Sequence, residues 1–273
     1  MKSLPCILVC AIATIASTDR GFIVSQSIGV SHNPLGALLD TKLFYRMPLI
    51  KKEGILWEST KIETGIQNEW TPADNRISAW AAIEPIALFD IVIKGGYYAM
   101  FDNLGYGCFR MNSAGDPYDD AAQKVHKPDD AHGYWLSVAP TLKAKLGRVI
   151  ALNTATINRI VINGRSDFLE VQSYLAHRTA DVDIVNESYL LYECTKAFLA
   201  GANYHYAAVA GTGARSQRLG VLGMMTPGSL VPYMSAALNV GFYPDDPLFA
   251  KKPYVAGLVG VDVPAKKKNQ RSH

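Results

Sequence analysis

"LDTKLFYRMPL", residues 39 to 49, places Asp40, Lys42, Phe44 and Arg46 on one parity and Leu39, Thr41, Leu43, Tyr45 and Met47 on the other. Successive strand side chains point to opposite faces, so the stretch reads as a β-strand with one apolar and one charged face. Two surroundings satisfy such a strand. In a soluble sandwich the apolar face packs inward and the charges meet water; in a membrane barrel the apolar face meets lipid and the charges line the lumen.

The same alternation recurs along the chain in segments of about ten residues, each followed by a breaker. "ESTKIETGIQNEW" sets Thr60, Ile62, Thr64, Ile66 and Trp70 against Lys61, Glu63, Gly65, Gln67 and Glu69. "FDIVIKGGYYAMF" sets Ile91, Ile93, Tyr97, Ala99 and Phe101 against Lys94, Gly96 and Tyr98, and "FLAGANYHYAA" sets Tyr204 and Tyr206 against Asn203 and His205. Gly, Ala, Ser and Asn crowd the polar face, where a soluble strand would carry more Lys, Glu and Thr. Small inward residues let a barrel close. Trp57, Trp70, Tyr97 and Tyr243, near segment ends, suit the interfacial aromatic girdles of a membrane barrel.

The N-terminus points the same way. "MKSLPCILVCAIATIAS" has the positive end, apolar core and small-residue cleavage pattern of a secretory leader over residues 1–17, and it is short for a transmembrane helix. No later apolar run approaches the roughly 20 residues of a membrane helix. Residues 18–264 then form the barrel and 265–273 a basic solvated tail. A net charge of +3 with 19% charged residues gives no sign of nucleic-acid binding. Cys108 and Cys194 fall at opposite ends of the expected layout and read as free thiols.

Connections also alternate in length. Short ones are expected near 50–54, 86–90, 143–148, 193–197 and 226–229; mostly longer, polar ones fall near 102–133, 162–186, 209–215 and 243–252. Short turns at one end and long loops at the other are the outer-membrane signature. Strands are expected near 21–31, 37–49, 55–71, 76–85, 90–101, 134–143, 148–161, 186–193, 197–208, 216–226, 230–242 and 252–263. The fold class is therefore all-β, an antiparallel up-and-down transmembrane barrel of about twelve strands, with ten or fourteen also compatible. The first strand alternates least well, and 168–178 reads as a strand extension outside the membrane. For the hairpin of 39–49 with 55–65, opposite charges favour a register that puts Lys42 opposite Glu63 and Phe44 opposite Lys61.

The pattern "LFYRMPL…GILWEST", followed by "TPA" and "EPIALFDIVIKGGYY", resembles the bacterial outer-membrane β-barrel superfamily over essentially the whole mature chain, and within it a group of poorly characterised single-chain barrels. The resemblance implies a Gram-negative outer membrane, contact with outer-membrane lipid, and a porin-like or transport channel for small polar solutes or a structural barrel. It names no solute. Many members end on an aromatic residue, whereas this chain continues past Val263 into "PAKKKNQRSH".

Asp40, Lys42, Arg46, Lys61, Glu63, Glu69, Lys94, His205 and Arg218 are the expected lumen-lining residues. Their mixed signs fit either a selectivity lining or a salt-bridged plug. His177 with Asp181 and Asp183, expected in an external loop, is a set that an outer-membrane hydrolase could use for acid/base work, but no nucleophile motif accompanies it. Asp116, Asp119, Asp120, Asp129 and Asp130, with His126 and His132, form an acidic loop without EF-hand spacing, so no metal site is assigned. "GTGARS", residues 211–216, lacks the βαβ context of a dinucleotide loop, and no cofactor is expected. A soluble periplasmic barrel or sandwich is a further alternative; it requires the Tyr-, Val- and Leu-bearing faces to be buried. Oligomeric state leaves no mark in the sequence.

Overall fold

A computed structural model describes residues 20–50, 60–102, 107–111, 113, 127–164, 167–225 and 233–264. The leader, the basic tail, Trp57, Asp116, Asp119, Asp120 and His126 lie outside the described residues. In chain order the strands are β1 (Gly21–His32), β2 (Gly36–Pro48), β3 (Lys61–Trp70), β4 (Asp74–Ile86), β5 (Phe89–Met100), β6 (Cys108–Met111), β7 (Pro128–Asp129), β8 (Ala131–Leu146) and β9 (Val149–Ile162). There follow β10 (Asp167–Leu169), β11 (Ala176–His177), β12 (Ala180–Thr195), β13 (Phe198–Val209), β14 (Arg215–Met225), β15 (Met234–Asp245) and β16 (Pro253–Pro264). Twelve of these close into an antiparallel barrel, and β6, β7, β10 and β11 form a separate four-stranded sheet. The segment at 168–178 is thus no extension of a wall strand.

The first strand closes the barrel. β1 pairs with β16 from Ile23 opposite Pro264 to His32 opposite Val255. Its outer face carries Phe22, Val24, Ile28 and Val30, all exposed, with Gln26 the one polar interruption that blurs the alternation.

The outer wall is apolar. Leu43, Ile66, Ile77, Ile93, Leu136, Val221, Leu238 and Val259 all stand exposed on it. A folded protein in water rarely leaves so continuous an apolar surface open, which removes the soluble alternative and leaves the bilayer as the surrounding medium. A polar trio on this face bonds within itself: Asn153 Nδ2 donates to Ser188 Oγ (2.8 Å) and to Asn186 Oδ1 (3.1 Å). Lipid offers such groups no partners. Trp70 and Tyr97 point outward, whereas Tyr243 does not. It follows outward Phe242 by one residue, so strand parity turns it into the interior against Phe249 and Tyr254.

Inward glycines allow the closure. A Cβ at Gly133 would meet the Val161 carbonyl oxygen at 1.8 Å, and one at Gly96 would meet that of Ile77 at 1.9 Å. At both places the sheet folds so sharply that neighbouring backbone fills the space a side chain would need.

The register of β2 with β3 differs from the expected one. Arg46 lies opposite Glu63, Phe44 opposite Gly65, Lys42 opposite Gln67 and Asp40 opposite Glu69. Packing explains the choice: Gly65 has no room for a Cβ beside Phe44, so the ring and the glycine belong together. The juxtaposed acids Asp40 and Glu69 are tolerated because Gln67 Nε2 donates to both, at 2.8 and 3.0 Å, and Lys42 lies 3.4 Å from Asp40.

The connectors at residues 87–88, 147–148 and 196–197 are tight turns at one end of the barrel. The opposite end carries the long connections that hold β6, β7, β10 and β11. Three connections at that end, 33–35, 71–73 and 210–214, are also tight.

Candidate functional site

Strand parity turns a charged face inward, and the side chains sort into tiers along the barrel axis. Near the short-turn end an alternating ladder crosses β2, β3, β4, β5 and β8. Arg46 pairs with Glu63 (2.5 Å), Lys61 sits between Glu63 (3.6 Å) and Glu84 (3.7 Å), and Lys143 bridges Glu84 (3.3 Å) and Asp90 (2.6 Å). On the far wall Glu187 accepts from His205 Nδ1 (2.5 Å) and lies 3.5 Å from the Arg218 guanidinium, which stacks over Tyr254. Asp40, Lys42 and Glu69 form a third group around Gln67. Lys94 lies between Trp80 on β4 and Ser137 on β8.

The long-loop end is filled by the separate sheet. Phe168, Leu169, Val171, Tyr174 and Ala176 pack against Tyr98, Trp135 and Tyr254 of the barrel wall in one apolar cluster. This plug is also latched by charge. Glu170, 1% exposed, receives Arg76 Nη2 at 2.7 Å and the Tyr98 hydroxyl on Oε1; the backbone amides of Gln172 (3.0 Å) and Ser173 (2.5 Å) donate to Oε2. Arg76 lies over the Tyr98 ring at 4.1 Å, and Gln172 Nε2 donates to Asp74 at 2.8 Å. Burial opposes ionisation of Glu170, but Arg76 first, and then His177, Tyr98 and the Ser173 amide, hold its carboxyl below the usual range.

His177 is fully buried in the plug, stacked on Phe168. Its Nδ1 lies 3.0 Å from the Leu175 carbonyl oxygen and its Nε2 3.3 Å from Asp183 Oδ2. Both neighbours are acceptors, so both ring nitrogens carry hydrogens in the best-satisfied state. Burial disfavours that cation, yet the Asp183 contact and nearby Glu170 raise the ring's pKa. Asp183 also accepts Asn158 Nδ2 (2.6 Å), while Asp181 caps the amides of Arg178, Val182 and Gly211. These contacts fasten plug to wall, and among the described residues no hydroxyl or thiol reaches His177.

Of the acidic loop, Asp130 accepts the Asp102 amide (2.7 Å), and His132 lies exposed on the outer wall beside Tyr97. Residues 211–214 make a tight turn that seats Thr212 on the Ala176 carbonyl (2.7 Å). Cys108 is buried in the plug and Cys194 exposed near the short-turn end, both as free thiols.

Arg76, Glu84, Asp90, Lys143 and Glu187 also face inward, in addition to the lining residues expected from the sequence. Parity extended through "DNRISAW" would have found Arg76 beside Ser78 and Trp80. Glu170 lies on no alternating segment.

Neither a family model nor a curated protein matches this chain. Among solved structures it is similar to a NanC porin (8% identity, 89% of this chain and 100% of that one, TM-score 0.40). It is likewise similar to a loop-deleted OmpT, an outer membrane protein of Vibrio cholerae (6%, 90% and 98%, TM-score 0.41), and to the translocator domain of autotransporter NalP from Neisseria meningitidis (10%, 92% and 90%, TM-score 0.44). At identities and scores this low, the barrel is argued from this chain's own strands and outer face.

Proposed function

We propose that the chain is a channel for small polar solutes in a Gram-negative outer membrane, reached by way of a cleaved leader and closed by a removable plug. The observation that carries this reading is the contact of Arg76 with buried Glu170, which joins a wall strand to a loop 94 positions away in sequence. A barrel serving only as scaffold needs no such latch, because apolar side chains fill a small barrel without leaving charge inside. Here Asp40, Lys42, Arg46, Lys61, Glu63, Glu69, Lys94, His205 and Arg218 line the interior below the plug, and charges of both signs call for water or a polar solute. The narrower resemblance to single-chain barrels of the same superfamily is compatible with this reading and adds no solute to it.

Uptake by proteoliposomes provides the test. Wild-type protein should admit small sugars and amino acids slowly, and Glu170→Gln protein several-fold faster. Equal exclusion by both, with both folded, would reduce the protein to a structural barrel.

A further inference from the structure

Just beneath the plug, β4, β5 and β8 bring six inward positions together in two rows. Trp80, Lys94 and Ser137 lie directly opposite one another in the first row, and Ser78, Gly96 and Trp135 in the second. Gly96 contributes no side chain, because the β4 backbone at Ile77 and Ser78 lies where one would stand, so the side chains of that row are Ser78 and Trp135. Gln67 continues that row on β3, opposite Ser78.

The hydrogen-bonding state of these groups is unusual for an interior. Among the described residues, the indole N–H groups of Trp80 and Trp135 and the Ser78 hydroxyl are buried without a partner, and so is Gln67 Oε1. Ser78, Trp80 and Trp135 are each more than nine-tenths buried. Lys94 makes no hydrogen bond or ion pair among the described residues; the nearest acids, Glu69 and Asp40, act on it through space. Those two carboxylates are already held by the Gln67 amide and by Lys42. Native proteins rarely leave several buried donors unsatisfied in one place, because each lost bond costs about 1–3 kcal/mol.

We infer that this patch is a binding site for a small organic or inorganic anion, presenting carboxylate or phosphate oxygens to Lys94, Ser78, Trp80 and Trp135. Four donors, one of them cationic, match a group that only accepts. A neutral amide or amine brings donors of its own and leaves the set unmatched. Gln67 Oε1, a free acceptor at the edge among the described residues, takes a hydroxyl of the same solute, and the two indole rings flank its carbon skeleton. The inference deepens the channel reading and rests on it for the solute's route, but binding itself can be measured without any flux.

The indoles supply the signal. Folded protein in detergent micelles is titrated with sodium gluconate, with sodium phosphate and with glucose while tryptophan emission is followed. A saturable change with gluconate assigns a carboxylate ligand and one with phosphate a phosphate ligand, while glucose produces none. Lys94→Met should weaken the response about tenfold or more, as loss of a charge-assisted contact requires. Ser78→Ala should weaken it less. Lys145→Met, which removes a rim cation paired with Glu193, leaves it unchanged. The inference is overturned if neither anion changes the emission of wild type or of the plug-released Glu170→Gln protein, if glucose reproduces the change, or if Lys94→Met retains full affinity. Failure of the channel reading has a different signature: anion binding persists while Glu170→Gln proteoliposomes take up nothing.

Discussion

Glu170 and His177 carry opposite charge behaviour within one short hairpin, and together they set when the plug is held. The carboxyl of Glu170 sits below its ordinary 4.5, so its contribution to seating is complete above about that pH and is lost as pH falls through the lowered value. His177 sits above its ordinary 6.5, so its contribution is complete below about that pH and fades as pH rises through the raised value. Current through the barrel should therefore be least between these two values and should grow on either side; a flat profile would contradict the assignment. Removing only the charge, by Glu170→Gln, takes from Arg76 its 2.7 Å partner and leaves it Asp74 at 3.9 Å, which weakens the seated state by at most about 3 kcal/mol. Cys108 reports on this directly. It is buried in the plug, and burial pushes its thiol up to about 11. Maleimide labelling of the Cys108 peptide, followed by mass at fixed pH, should be markedly faster in Glu170→Gln than in wild type.

At the scale of elements, each wall strand announces itself in sequence, because lipid on one side and lumen on the other force an alternation that nothing else in the chain needs. Twelve strands and their faces could be read this way, including Lys42 and Arg46 inward and Leu43 and Met47 outward. Register could not. It depends on Phe44 finding Gly65 and on Gln67 bridging Asp40 and Glu69, three-body arrangements invisible to a rule about facing charges. Cysteines placed at 46 and 63 (R46C with E63C) should cross-link spontaneously, whereas K42C with E63C should not, since only directly opposed positions bring the two Cβ atoms within reach. The plug was equally hidden. Phe168, Leu169 and Leu175 sit in short stretches without a period, and the partner of Glu170 lies on a distant strand. Closure makes its own demand on the strands: Gly133→Val drives a side chain into the Val161 carbonyl, at more than about 4 kcal/mol, and should abolish the heat-modifiable gel mobility of the folded barrel.

The whole molecule joins two kinds of packing. Its wall is a continuous ladder of antiparallel strands with no open edge, which suits a medium that cannot satisfy a bare backbone group. Its interior is a charged lining capped by a small sheet that belongs to the loops and touches the wall through two apolar clusters and a few polar contacts. Such a division allows the cap to move while the wall stays intact, because the cap's bonds are separable from the ladder that closes the barrel. The most direct test of that separation is single-channel current across a planar bilayer, recorded for wild type and for Glu170→Gln at pH 6. The account expects wild type to be silent or to open briefly, and the variant to carry a steady current of uniform size. Steady current of the same size from both proteins, or silence from a folded Glu170→Gln barrel, would contradict a lumen gated by this plug.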